Sequence, residues 1–119
     1  MKKWFLLLAV CLVCGCHNAG PGMTFDEALK LARAQTADAR YGEEWLSFNY
    51  NNRIGAKGDC YRRSAGPVRQ VLVIDKDGVV TDVIADVDNA KSRCFRESYL
   101  HVRFPPPPFA PYYIYQRMS

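Results

Sequence analysis

Histidine is almost missing from this chain, with two in 119 residues, and so is any large excess of charge of one sign. Sixteen Lys and Arg stand against twelve Asp and Glu, a net charge of +4. Nothing in that balance is basic enough to argue for nucleic acid, and Arg62-Arg63 reads as a solvated loop pair. His17 and His101 are isolated, so no base stands beside a nucleophile and no metal-ligand spacing forms around either. A long apolar run is missing too. The longest, Trp4 to Val13, has ten residues, roughly half of what a helix needs to cross a bilayer. The acidic residues Asp75, Asp77, Asp82, Asp86 and Asp88 suggest calcium, but Gly78 falls fourth from Asp75 where an EF-hand loop needs its glycine sixth, and valines follow. They read as turn residues and solvent-facing strand charges. These absences argue against an enzyme, and no metal or cofactor is expected.

What is present begins at the N-terminus. Lys2-Lys3, the apolar run and a small-residue site form the layout of a secretory signal. The site, Val13-Cys14-Gly15-Cys16, resembles the lipobox of bacterial lipoproteins. That resemblance implies cleavage before Cys16, lipid on Cys16 and anchoring to a membrane. Cys11 and Cys14 each follow a valine, whereas Cys16 follows glycine; an ordinary signal peptide cut elsewhere is the alternative. His17 after the cysteine, where aspartate would retain the protein, implies transfer to the outer membrane, facing the periplasm, by the rule of enteric-type bacteria. The expected division is a signal at 1–15, a polar tether at 16–23 and one α+β domain at 24–119, near the commonest domain size. Losing Lys2 and Lys3 with the signal leaves fourteen basic and twelve acidic residues, a net +2.

Cys60 and Cys94 then remain, an even number in an exported chain, and we expect them to be bridged. The closed loop contributes roughly 3–4 kcal/mol in the chain-entropy model. A redox or metal role is the rival, but these two lack C-x-x-C spacing and a histidine partner.

Local signals set out the elements. Thr24 with Glu27 three positions on reads as a capping box. Ala28, Leu29, Leu31, Ala32 and Ala39 continue an apolar stripe, so a helix is expected over 24–40. A second helix over 42–50 presents Trp45, Leu46 and Phe48 as core anchors. Residues 51–67 read as a loop holding Cys60. Val68 to Ile74 and Val79 to Val87 flank Asp77-Gly78, a strong hairpin signal. Strict alternation in the second strand places Val79, Thr81, Val83, Ala85 and Val87 on one face, with a sheet covered on one side. Asp88 or Asn89 caps a third helix running to Val102. Phe104-Pro105-Pro106-Pro107-Pro108 imposes polyproline II. It is read as a rigid connector into a last strand, Tyr112 to Met118, with a ligand for a proline-recognition domain as the alternative.

The expected fold class is therefore α+β: N-terminal helices followed by a small antiparallel sheet made of a β-hairpin, a helix and a last strand. Val71-Leu72-Val73-Ile74-Asp75-Lys76-Asp77-Gly78-Val79-Val80 and Arg103-Phe104-Pro105-Pro106-Pro107 resemble the C-terminal domain of TonB-type energy transducers over about half the chain. The chain also resembles small exported proteins of proteobacteria with paired cysteines and a Phe-Pro-rich segment, which supply a fold but no activity. The TonB resemblance implies binding at an exposed sheet edge, whereas the cleavable signal and short tether exclude transduction from an inner-membrane motor. The expected function is a lipid-anchored, non-catalytic interaction module of the envelope. Its partners are the membrane, through Cys16, and an envelope protein, through Tyr112, Tyr113 and Tyr115. The alternatives are a periplasmic enzyme inhibitor using the Cys60 loop and, behind it, a small hydrolase.

Overall fold

A computed structural model of the chain describes residues 22–35 and 38–119, so the signal segment and Cys16 lie outside the described residues. The described elements are α1 (Phe25–Ala34), α2 (Ala39–Asn51), 3-10 turns (Ile54–Arg62), β1 (Val68–Ile74), β2 (Val80–Ala85), α3 (Ala90–Tyr99) and β3 (Tyr112–Met118). The fold class is α+β, and the sheet is three-stranded, antiparallel and ordered β2-β1-β3. No described helix is long and apolar enough to cross a membrane.

The helix starts follow the caps. Thr24 Oγ1 accepts from the Glu27 N–H while Glu27 Oε1 accepts from the Thr24 N–H, two orphan donors satisfied reciprocally. These bonds hold the Glu27 carboxyl below the usual carboxylate range. Asn89 and Ser92 make the corresponding box at α3.

The long helix expected over 24–40 divides. α1 ends at Ala34, Gln35 is extended, and Asp38 caps a new helix by accepting from the Tyr41 N–H. α2 therefore starts at Ala39 rather than Gly42. The apolar stripe gave no sign of this, because the break is stabilised by what Gln35 and Asp38 bond to and not by helix propensity. α3 likewise stops at Tyr99, not Val102, and its C-terminal residues turn to pair with β2. Within 51–67 the chain forms 3-10 turns interrupted at Lys57, Gly58 and Asp59, the last two at positive φ. Cys60 and Cys94 form a disulfide that ties these turns to α3.

Sheet alternation also departs from expectation. Val73 pairs with Asp82 but Ile74 pairs with Val80, so Thr81 is a bulge. The extra residue brings Val80 to the same face as Val83 and Ala85; Val80 and Val83 are buried in one core with Leu72 and Ile74, and Ala85 packs against it. Both faces of the sheet are covered, which corrects the one-sided expectation. α1 packs on β3, β1 and β2, and Val71, on the opposite face of β1 from Leu72, is fully buried with Ala28 and Leu29.

On the other face Phe104 lies at the centre of an aromatic cluster. Trp45 stacks on it at 4.9 Å, Phe48 tilts at 5.2 Å and Tyr99 lies parallel at 6.5 Å. A polar chain crosses this core: Gln70 Nε2 donates to Gln116 Oε1 (2.9 Å), Gln116 Nε2 to the Tyr99 hydroxyl (3.2 Å), and that hydroxyl to Asn49 Oδ1 (2.8 Å). Pro105 to Pro111 then carries the chain from the β2 side to β3. The connector is held early by the Tyr41 hydroxyl, which donates to the Pro105 carbonyl at 2.8 Å.

Candidate functional site

Sheet edges carry unpaired peptide groups, so their treatment shows where another chain has room to add. The β2 edge is closed at its start by main chain. The Val80 N–H donates to Val102 O, His101 N–H to Val80 O and Phe104 N–H to Gly78 O, at 2.8–2.9 Å. Gly78 permits this approach: its φ is +91°, and a Cβ there would meet Phe104 O at 1.9 Å. Further along, the Val83 N–H donates to Asp82 Oδ1, and Arg96 donates to Val83 O and to Asp82 Oδ1. Asp75 belongs to the adjoining turn, where its carboxylate accepts from the N–H groups of Asp77 and Val79.

The β3 edge is treated differently. Gln35 Nε2 donates to Tyr113 O at 2.6 Å, and the Tyr113 N–H donates to Gln35 Oε1 at 3.1 Å. One side-chain amide thus offers the donor and acceptor that a neighbouring strand would offer. Outward peptide groups recur every second residue in an antiparallel strand, which puts the next ones at Tyr115 and Arg117. These meet no hydrogen-bonding partner among the described residues.

The three tyrosines named from the sequence do not act as one surface. Tyr112 is buried, edge-on to Tyr41 at 5.0 Å and tilted against Phe109 at 5.0 Å. Tyr113 is half-buried beneath the Gln35 contact, and Tyr115 is 40% exposed. Beside this edge a groove of about 400 Å³ runs between α1, the start of α2 and Tyr112 to Tyr115, with more apolar than polar lining. Leu29, Ala32 and Gly42 supply small or apolar wall, and Arg33 stands on its rim. Sequence reasoning missed Gln35, Arg33 and Arg117. No local pattern marks Gln35, because its partner is 78 residues away.

The other residues singled out from sequence are dispersed. Cys16 lies outside the described residues. Cys60 and Cys94 are spent in the disulfide. His101 is exposed at φ +72°, its N–H used in closing the β2 edge. No group of three or more His, Cys, Asp or Glu that would hold a metal ion occurs among the described residues.

Set against models of protein families, curated proteins and solved structures, the chain matches none.

Proposed function

We propose that the protein is a non-catalytic interaction module of the bacterial envelope. Lipid on Cys16 holds it to a membrane, the outer membrane on the reading of His17, facing the periplasm. Its partner is an envelope protein that adds an extended segment to β3. The observation that carries the reading is the contrast between a β2 edge closed by main chain at Gly78 and Val80 and by Asp82 and Arg96 at Val83, and a β3 edge whose Tyr115 and Arg117 peptide groups both stay unpaired among the described residues. Strand addition uses such groups for affinity and adjacent pockets for specificity, and the groove beside Tyr113 and Tyr115 is such a pocket. The succession β1, β2, α3, proline-rich connector, β3 also supports a TonB C-terminal-like relationship.

The test is site-specific photocrosslinking in living cells. A crosslinker at Tyr115 is expected to trap a discrete envelope protein, one at Thr81 on the β2 edge is not, and Cys16→Ala is expected to lose the adduct. Equal adducts from the two positions, or none from either, would sink the proposal. The inhibitor reading has less support, because a reactive loop must protrude, whereas residues 54–62 are clasped against α3 with Ile54 and Cys60 buried.

A further inference from the structure

The β3 edge has a charge pattern as well as a shape. Arg33 on the groove rim and Arg117 at the far end of β3 are both exposed, and neither has an ion-pair partner among the described residues. They bracket the stretch from Tyr113 to Tyr115. Asp38, the carboxylate on the groove wall, already accepts from the Tyr41 N–H as the cap of α2. Four other arginines are matched, Arg62 by Asp59, Arg69 (opposite Arg117 in the sheet) by Asp86, Arg93 by Asp88 and Arg96 by Asp82, while other surface arginines such as Arg53 and Arg103 have no ion pair among the described residues. Arg33 and Arg117 thus leave positive charge without an ion-pair partner among the described residues at both ends of the open edge.

The Gln35 contact sets the geometry of entry. A strand pairing with Tyr115 and Arg117 leaves Gln35 in place. One that continues to Tyr113 must take over the two bonds that Gln35 makes there. A peptide unit supplies the same donor and acceptor as the side-chain amide, so the exchange conserves the number of hydrogen bonds at Tyr113 and opens the groove wall behind it.

We propose that the β3 edge takes an acidic extended peptide segment whose backbone displaces the Gln35 side chain from Tyr113. This rests on the edge-binding reading above and adds the partner's chemistry. Carboxylates flanking the segment pair with Arg33 and Arg117. Apolar side chains on the groove side lie against Leu29, Ala32 and Gly42.

The probes are three blocked octapeptides of alternating Thr and Val, carrying either three Glu, three Gln or three Lys, titrated into the isotope-labelled full chain in detergent. The Glu peptide is expected to shift the amides of Tyr113, Tyr115 and Arg117, and to bind about tenfold tighter than the Lys peptide at low salt. That preference should collapse at about 0.5 M salt, where screening acts within a few ångström, and reverse in Arg33→Glu/Arg117→Glu. Gln35→Ala should tighten the Glu peptide several-fold. Gln35→Leu, which keeps the bulk but can neither donate to nor accept from Tyr113, should do the same. If all three peptides shift Tyr115 and Arg117 equally, the acidic preference is wrong while edge binding stands. If Gln35→Ala and Gln35→Leu leave affinity unchanged or weaker, the displacement is wrong. If no peptide moves these amides, the proposal falls; an adduct from a crosslinker at Tyr115 would then leave edge binding standing alone.

Discussion

The two edges of one small sheet are protected by different means. At the start of β2 the protection is covalently continuous main chain, with side chains of Asp82 and Arg96 covering Val83 further on: residues 101–104 return from α3 and pair with residues 78–80, and Gly78 lets Phe104 approach. At β3 it is a single side chain, Gln35, reaching across from the end of α1. Main-chain pairing is locked to the core, since Phe104 is the residue on which Trp45 and Phe48 pack. Releasing it costs the hydrophobic centre. Releasing Gln35 costs two half-buried hydrogen bonds. A chain can thus hold one edge shut for stability and leave the other open to exchange, and the difference lies in what each protecting group is tied to.

Breaking the closed edge should have the largest effect. Gly78→Ala combines a left-handed φ with a clash against Phe104 O, and is expected to cost roughly 3–5 kcal/mol, seen as a lower urea midpoint or failure to fold. Cys60→Ala/Cys94→Ala removes the staple that holds α3 behind that edge. It should cost about 3–4 kcal/mol in chemical denaturation, while leaving any partner bound at Tyr115 in place.

The connector between the two edges can be probed by pH. Burial, with Tyr112 and Glu44 nearby, pushes the Tyr41 hydroxyl up to about 12. The folded state therefore keeps a proton that the unfolded chain loses near pH 10. Stability from this group is whole below about pH 10, falls as the pH rises toward 12, and the total loss is about 2–3 kcal/mol. Denaturant midpoints across that range should show the fall, and Tyr41→Phe should flatten it.

The open edge should respond least in stability. Gln35→Ala is expected to cost about 1 kcal/mol and to expose the Tyr113 amide to hydrogen exchange while the amides of β1 stay protected. Tyr115→Ala should change stability by about 0.5 kcal/mol or less and weaken capture of the partner without abolishing it, since the outward peptide groups remain. A large stability loss with capture intact would erase the contrast between the edges.

Much of the fold was legible because its signals are local. Thr24 with Glu27, and the Asp88-Asn89 pair, place helix starts within a few residues of sequence. Asp77-Gly78 marks the hairpin by turn chemistry alone. The Cys60–Cys94 pairing followed from elimination among five cysteines. The rest was hidden for one reason, that the decisive contact is distant. The stripe from Ala28 to Ala39 looks like one helix because the bonds that end it are Gln35 to Tyr113 and Asp38 to Tyr41. Alternation in β2 looked unbroken because the Thr81 bulge shows only in the pairing with β1. The candidate site suffered most: the three tyrosines were visible as a run, but not that Tyr112 faces the core, nor that Gln35 stands on Tyr113.

The sequence by itself determined the α+β class, the hairpin, the caps of α1 and α3 and the cysteine pair, all matters of periodicity, turn stereochemistry or counting. Tertiary structure alone decided which edge is closed, which faces are covered and which peptide groups are left without a partner. Those depend on pairs such as Gln35 with Tyr113 and Gly78 with Phe104. Their partners lie far apart along the chain and meet only once the sheet has formed.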